Sequence, residues 1–124
     1  MNRPRAEAGP APGTVLCRLD EIADGDARAV GFRMFVVRLG GAVRAYVNNC
    51  PHTDTPLDWR PGEFLDPGGT MLRCASHGAL FRPDDGVCTE GPCRGKRLEA
   101  VPVVVEDGVI RVAAAAQSPV TKAR

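Results

Sequence analysis

Both histidines of this chain lie in short segments that also carry a cysteine. Cys50 precedes His52 by two residues, and Cys74 precedes His77 by three. The two segments are 21 residues apart, so two loops would each offer one thiolate and one imidazole. Four side chains of these types can converge on one tetrahedral metal ion or on a two-iron cluster. The residues therefore predict a metal centre with these four side chains as ligands.

Further residues around the two segments narrow the kind of metal centre. Gly78 follows the second histidine, Asn48-Asn49 precede the first cysteine, and Gly91-Pro92 stands downstream. At these residues the chain resembles the Rieske family, whose signature is one Cys-x-His loop and one Cys-x-x-His loop. In that family a glycine-proline third loop closes over a 2Fe-2S cluster, so the resemblance implies one such cluster as the cofactor.

The resemblance also implies a role for each ligand. Cys50 and Cys74 would hold the inner iron, and His52 and His77 would hold the outer iron near the surface. Neutral imidazoles leave the cluster less negative than four thiolates would, which raises its reduction potential above that of an all-cysteine ferredoxin. The histidine edge is then the expected electron port.

The chain departs from the high-potential, respiratory branch of the family. Thr55 and Ser76 occupy the positions of a disulfide that ties the two loops there. Ala79 and Phe81 replace a serine and a tyrosine that donate hydrogen bonds to sulfur. Such donors stabilise the reduced, more negative cluster, so their absence predicts a potential toward the low end of the roughly −150 to +300 mV Rieske range. This is the ferredoxin-type pattern.

Other site chemistries fit the residues less well. A structural zinc site is the main alternative, since two cysteines and two histidines are also a zinc ligand set. Zinc fingers usually pair Cys with Cys and His with His, whereas mixed pairs favour the cluster. A Cys-His hydrolase needs an orienting third group and an oxyanion site, and nothing in the sequence marks either. A Rieske oxygenase needs a mononuclear iron with two further histidines, and this chain has only 2 in total.

Strands are the elements expected to position these loops. Four apolar runs, joined in pairs by Gly40-Gly41 and Asp107-Gly108, predict two β-hairpins. The runs are residues 32–39, 42–47, 101–106 and 109–113. Three short candidate strands lie between the hairpins, at residues 71–74, 79–82 and 87–89. A helical period is absent apart from one turn near residues 20–27. The sequence predicts an all-β fold, and the resemblance implies a Rieske-like antiparallel β-sandwich with a small cluster-binding subdomain of two ligand loops.

Length and composition fit one small domain. The 124 residues are too few for two ordinary domains. A net charge of +1 without a basic, aromatic-interleaved run gives no support for nucleic-acid binding. The apolar stretches are far shorter than the ~20 residues of a membrane helix, so we expect no membrane partner. We expect a flexible leader over residues 1–13, a Rieske 2Fe-2S domain over 14–113, a flexible tail over 114–124, and a cytoplasmic location.

Three cysteines stand outside the motif. The chain has 5 cysteines in all, an odd number, which favours metal binding over a framework of disulfides. Cys17 alternates with apolar residues and is expected to be a small buried hydrophobe. A Cys88–Cys93 disulfide is sterically conceivable, but a reducing compartment favours two free thiols. The long segment before Cys74 carries Trp59 and Phe64, which either reshape a docking face or pack a small satellite core.

The function implied by the resemblance is one-electron transfer rather than catalysis. A soluble ferredoxin of this kind takes electrons from a flavoprotein reductase and passes them to a terminal oxygenase or other oxidoreductase. No glycine fingerprint for a dinucleotide is present, so a partner must supply the electrons. One alternative is a small subunit of a larger redox enzyme, similar to the nitrite reductase small subunit. A third candidate function is that of a binding module whose fold is held by a structural zinc ion.

Overall fold

The computed structural model describes residues 10–39, 42–51, 55–58, 63–66, 68–75 and 78–114 of the chain. Within these ranges the chain forms ten strands and one 3₁₀ helix (Leu19–Glu21), which confirms the predicted all-β class. The strands are β1 (Val15–Arg18), β2 (Ala27–Gly31), β3 (Met34–Leu39), β4 (Ala42–Val47), β5 (Leu72–Arg73), β6 (Leu80–Phe81), β7 (Cys88–Glu90), β8 (Ala100–Val101), β9 (Val103–Glu106) and β10 (Val109–Val112). All three candidate strands between the hairpins are present: β5 and β6 are shorter than predicted, and β7 has the predicted length but begins one residue later.

The strands pair into three antiparallel sheets. Their orders are β1-β10-β9, β2-β3-β4-β8 and β5-β6-β7. Strand β3 belongs to the four-stranded sheet, and its side chains point alternately to opposite faces. Met34 and Val36 join a core with Ile110 of the first sheet, whereas Phe35 and Val37 join a core with Phe81 of the third. The four-stranded sheet therefore lies between the other two, which explains the unbroken apolar run at residues 34–37 of β3.

The core between the first two sheets contains one of the cysteines outside the motif. Cys17 on β1 is 8% exposed and packs with Ile22 and Ile110. Burial raises the pKa of the Cys17 thiol above its ordinary value. The sequence-based prediction of a small buried hydrophobe at Cys17 is confirmed.

The closing hairpin has the predicted turn. Asp107 and Gly108 have φ angles of 54° and 75°, the left-handed values that a two-residue hairpin turn requires, and Glu106 pairs with Val109. Pro102 separates β8 from β9, because a proline has no N–H to give to a sheet ladder. In the other predicted hairpin Leu39 pairs with Ala42, while residues 40–41 lie outside the described part of the chain.

One hairpin was missed by the sequence analysis. Phe32 and Arg33, which it placed at the start of a strand, instead form a two-residue turn that joins β2 to β3. Their φ angles are 55° and 59°, so both are left-handed. Turns of this kind favour Asn, Asp and Gly, so the Phe-Arg dipeptide carried no turn signal. The helical turn expected near residues 20–27 is limited to the 3₁₀ helix.

The two ends of the domain meet at the first sheet. The Gly13 N–H donates to the Val112 carbonyl at 2.7 Å, and the Thr14 hydroxyl donates to the Ala11 carbonyl at 2.6 Å. Residues 1–9 of the expected leader and 115–124 of the expected tail lie outside the described ranges. In the part of the chain that the structure describes, no helix has the length and apolar character needed to span a membrane.

Candidate metal centre

The first cysteine loop follows β4 and is held in place by Asn48. The Asn48 backbone N–H donates to the Arg33 carbonyl at 2.7 Å. The Asn48 side-chain amide donates to Asp58 at 2.8 Å and accepts from the Leu57 backbone N–H at 2.8 Å. These bonds connect both ends of the segment that carries Cys50. In the sequence Asn48 is only one residue of a family resemblance, whereas in the structure it positions the loop.

The two cysteine loops have the same backbone closure. The Cys50 N–H donates to the Thr55 carbonyl at 2.7 Å, and the Cys74 N–H donates to the Ala79 carbonyl at 2.9 Å. In each case the acceptor is the fifth residue after the cysteine. In the sequence, each closed turn therefore encloses one of the two histidine positions.

The two closed turns are joined directly. The Ala75 N–H in the second turn donates to the Leu57 carbonyl, just after the first, at 2.9 Å. Cys50 and Cys74 are both 0% exposed, belong to the same core and take part in no disulfide. The structure thus brings the two predicted cysteine ligands into one buried region. His52 and His77 lie outside the described residues, and their role as ligands stays a prediction.

The third sheet supports the second turn. Leu72 pairs with Phe81 and Arg73 pairs with Leu80, so the second cysteine turn is the loop of the β5–β6 hairpin. Gly78 lies in this loop with φ of 71°, and its N–H donates to the Cys74 carbonyl at 2.9 Å. The glycine that follows the second histidine in the sequence therefore occupies a position where an L-residue side chain would be strained.

The third loop, predicted from Gly91-Pro92, packs directly on the second. A Cβ atom at Gly91 would lie 2.8 Å from the Cα and 3.0 Å from the Cβ of Ala79. The φ angle of Gly91 is 105°, which also favours glycine. Only a residue without a side chain lets the two backbones come this close. The sequence pattern pointed to this glycine, but its packing against Ala79 is visible only in the fold.

The remaining two cysteines lie beside this third loop. The Sγ atoms of Cys88 and Cys93 are 2.7 Å apart, and both residues are buried. The Cys88 thiol also donates to the Glu90 carbonyl at 3.2 Å. Burial raises the pKa of Cys93 to about 12, with further contributions from the Cys88 and Cys50 thiols that face it. Cys93 is therefore close both to a predicted ligand, Cys50, and to a second thiol.

The long segment between the cysteine loops is anchored in the larger core. Phe64 is 1% exposed, and its ring stacks on Phe35 with centroids 4.3 Å apart and planes at 16°. Leu65 forms a β-bridge with Leu72. Phe64 therefore packs into the main core rather than a satellite core, and Trp59 lies outside the described residues.

A hydrogen bond from Tyr46 on β4 links the four-stranded sheet to the loop that follows β6 of the third sheet. The Tyr46 hydroxyl donates to the Pro83 carbonyl at 2.8 Å, and burial raises its pKa. Beside it, Arg82 and Asp85 form an ion pair at 2.6 Å. Partial burial of Asp85 acts against its charged form, but the Arg82 guanidinium and the Val87 N–H hold its pKa below the usual value.

Buried thiols in paired turns are suited to iron. Thiolate sulfur is the usual protein ligand of iron–sulfur clusters, and neither Cys50 nor Cys74 is consumed by a disulfide. Three loops converge on them: the two cysteine turns and the Gly91 loop that covers the second turn. Two buried cysteines in paired turns are the arrangement expected of an iron–sulfur protein.

The comparisons with known proteins specify the family. The family model described as "Rieske [2Fe-2S] domain" matches residues 13–113. The chain belongs to the Rieske [2Fe-2S] domain family, and like that family it binds one 2Fe-2S cluster. The predicted family and cofactor are confirmed. A comparison with curated proteins finds no match.

Solved structures of ferredoxins are similar over most of the chain. The ferredoxin of carbazole 1,9a-dioxygenase from Nocardioides aromaticivorans IC177 is 28% identical, with a TM-score of 0.65, and the match covers 83% of this chain and 98% of that one. The Sphingomonas yanoikuyae B1 ferredoxin is 26% identical with a TM-score of 0.67, and the match covers 82% and 98%. A complex of reduced oxygenase and oxidised ferredoxin in carbazole 1,9a-dioxygenase matches at 27% identity and a TM-score of 0.63, over 80% and 90%. The predicted fold and the predicted class, an electron-transfer protein, are confirmed.

Proposed function

We propose that this chain is a ferredoxin that carries single electrons from a flavoprotein reductase to a terminal oxygenase or a similar oxidoreductase. The observation that carries the proposal is the pair of closed turns that brings two buried cysteines together under a glycine-proline loop. One similar structure, the complex of a ferredoxin with its oxygenase in carbazole 1,9a-dioxygenase, supports an oxygenase as the acceptor. The reductase is inferred from the need for an electron donor.

The ligands in this proposal are Cys50, His52, Cys74 and His77. When bound, a 2Fe-2S cluster supplies a site that accepts and releases one electron. The chain holds the two cysteines away from water, because both are fully buried among apolar side chains. Asn48 fixes the approach of the first turn through its hydrogen bonds to both ends of the loop.

The proposed reduction potential is toward the low end of the Rieske range. Ala79 and Phe81 are both 0% exposed and close to the second turn, and neither side chain carries a hydrogen-bond donor. Hydrogen bonds to cluster sulfur raise the potential, so these two positions contribute no such increase. A carrier of low potential is suited to giving an electron to an oxygenase.

The proposal includes a soluble, cytoplasmic protein. The proposal also retains the division into a functional domain at residues 14–113, a leader at 1–13 and a tail at 114–124. The family match over residues 13–113 supports the extent of the domain.

Cluster type and ligands can be tested together. Protein purified without oxygen should contain iron and acid-labile sulfide in equal amounts, and dithionite should produce the electron paramagnetic resonance signal of a Rieske cluster. Single replacement of each of the four ligands by Ala or Ser should abolish or change that signal. Cys17→Ser is the matched control, because Cys17 is buried in the other core. Colourless protein with stoichiometric zinc would contradict the proposal, as would ligand variants that keep an unchanged signal.

The carrier role needs a separate test. The reduced protein should be mixed without oxygen with an oxygenase component of the carbazole 1,9a-dioxygenase type, and its visible absorption followed in a stopped-flow instrument. Reoxidation that accelerates with oxygenase concentration supports the proposed acceptor. Reoxidation independent of the oxygenase, or purification only as a fixed complex with a large subunit, would contradict a freely diffusing carrier for that class of oxygenase.

A further inference from the structure

Two thiols with no part in the proposed ligand set meet inside the protein. Cys88 at the start of β7 is 2% exposed, Cys93 is 0% exposed, and their Sγ atoms are 2.7 Å apart. Cys17 belongs to the other core, and Cys50 and Cys74 are committed to the cluster under the proposed function. Cys88 and Cys93 are therefore the pair available for other chemistry.

The backbone holds this pair together without a covalent bond. The Cys88 N–H donates to the Lys96 carbonyl at 2.7 Å, and the Gly95 N–H donates to the Cys88 carbonyl at 3.0 Å. The Lys96 N–H donates to the Cys93 carbonyl at 2.8 Å. These three bonds fold residues 88–96 into a narrow loop that returns Cys93 to Cys88. A bond between the sulfurs would join atoms that the fold already places in contact.

The surroundings favour a bond within the chain over one between chains. Both sulfurs are buried, so a second protein molecule cannot reach them while the loop is closed. Pro92 and Arg94, the chain neighbours of Cys93, are exposed, so the pair lies only one residue beneath the surface. A small reagent can reach this depth when the loop opens briefly.

We propose that Cys88 and Cys93 are an oxidative modification site that closes to an intramolecular disulfide with a low-molecular-weight disulfide such as oxidised glutathione. While the loop is open, one sulfur of the pair is in contact with water, loses its proton and attacks the small disulfide, whose S–S bond breaks. The sulfur that leaves takes up that proton and departs as one small thiol. The second sulfur then attacks the mixed disulfide and releases the other. Two S–H bonds are replaced by one S–S bond, and the two electrons and two protons leave on the two small thiols.

This bond would lock the third loop against the cluster site. Gly91, which packs on Ala79 of the second cysteine turn, lies between the two cysteines in the sequence. Cys93 also faces Cys50, the proposed ligand in the first turn. Oxidation would therefore tie the covering loop to β7 by a covalent bond, whereas in the dithiol form hydrogen bonds and packing hold the loop. In a reducing compartment the dithiol is the resting form.

Peptide mapping of the full chain tests the proposal. Cluster-loaded protein is incubated without oxygen with oxidised or reduced glutathione, denatured in iodoacetamide and cleaved on the amino side of aspartate. Cleavage before Asp85 and Asp107 releases residues 85–106, in which Cys88 and Cys93 are the only cysteines. After oxidised glutathione we expect this peptide without alkyl groups and lighter than the dithiol by two hydrogen atoms. After reduced glutathione we expect it with two alkyl groups.

Two variants act as controls. Cys17→Ser keeps the pair and should give the same oxidised peptide, whereas Cys88→Ser should leave Cys93 alkylated or bound to glutathione. Two alkyl groups on the wild-type peptide after oxidised glutathione would overturn the proposal. A cross-link from Cys93 to the peptide of Cys50 would also overturn it. The mapping detects changes in the polypeptide and not in the cluster, so its result is independent of the spectroscopic test of the proposed function.

Discussion

The close packing of Gly91 on Ala79 predicts a specific cost for adding one methyl group to the third loop. In Gly91→Ala the new Cβ would lie 2.8 Å from the backbone Cα of Ala79, so one of the two loops must shift. Overfilling a packed site in this way costs about 1–3 kcal/mol. The left-handed backbone adds about 1–2 kcal/mol for any residue with a Cβ. The expected loss of stability is therefore about 2–5 kcal/mol.

Gly95→Ala is the matched control in the same loop. Gly95 has φ of 90°, similar to the 105° of Gly91, but a Cβ there would meet nothing within 4 Å. Its replacement should cost only the backbone strain of about 1–2 kcal/mol. The difference between the two variants isolates the packing against Ala79. In a domain of this size, each 1 kcal/mol of that difference lowers Tm by roughly 4–8 °C.

The assay is thermal unfolding of cluster-loaded protein without oxygen, followed by circular dichroism and by visible absorption at one heating rate. Gly91→Ala should unfold well below Gly95→Ala and should lose its visible absorption faster in the presence of an iron chelator. Adding Ala79→Gly to Gly91→Ala removes the methyl carbon of residue 79, 3.0 Å from the new side chain, but leaves the backbone carbon at 2.8 Å, so rescue should be partial. Equal Tm values for the two single variants would refute the reasoning, because the strain would then come from the backbone alone.

Three further predictions concern the hairpin turn, the reduction potential and the dependence of stability on pH. Replacing Phe32 by Asn and Arg33 by Gly should stabilise the protein by about 1–2 kcal/mol, because Asn and Gly accept left-handed φ angles more readily than Phe and Arg. The variant should therefore unfold at a higher urea midpoint. A lower midpoint would show that the contacts of the Phe32 ring stabilise the protein by more than the backbone strain destabilises it. Ala79→Ser combined with Phe81→Tyr should raise the midpoint potential in protein-film voltammetry by adding donors near sulfur, and an unchanged or lower value would contradict this. The lowered pKa of Asp85 implies stabilisation that is present above the carboxyl's unfolded pKa and lost as the pH falls through the folded value. Asp85→Asn should therefore be less stable than wild type at about pH 7, by roughly 0.2–1 kcal/mol for this exposed ion pair. The difference in stability should vanish as the pH falls below the folded pKa of Asp85, and a difference independent of pH would exclude the ion pair as its cause.

The chemistry of the site could be predicted from the sequence because it depends on residue types at short spacings. Cys50 with His52, and Cys74 with His77, are close enough along the chain for one loop to present each pair. The Asp107-Gly108 hairpin was predictable for the same reason, since its turn depends on the two residues themselves.

Other features depend on contacts between distant parts of the chain. Phe32 and Arg33 are left-handed although neither residue favours it, and the register of β2 on β3 together with the Asn48 bond to the Arg33 carbonyl holds them there. The local preferences of Phe32 and Arg33 oppose this turn, so it could not be predicted from the sequence.

The sequence by itself predicted the donor set, and it was sufficient to predict the all-β class and the presence of a third loop. Only the tertiary structure decided that Gly91 must lack a side chain, because its neighbour Ala79 belongs to a different loop. It also decided that Cys88 and Cys93 meet, since their spacing alone permits contact without requiring it. Side-chain chemistry and turn preferences are local and can be read along the chain, whereas close approach between loops depends on how the sheets bring distant segments together.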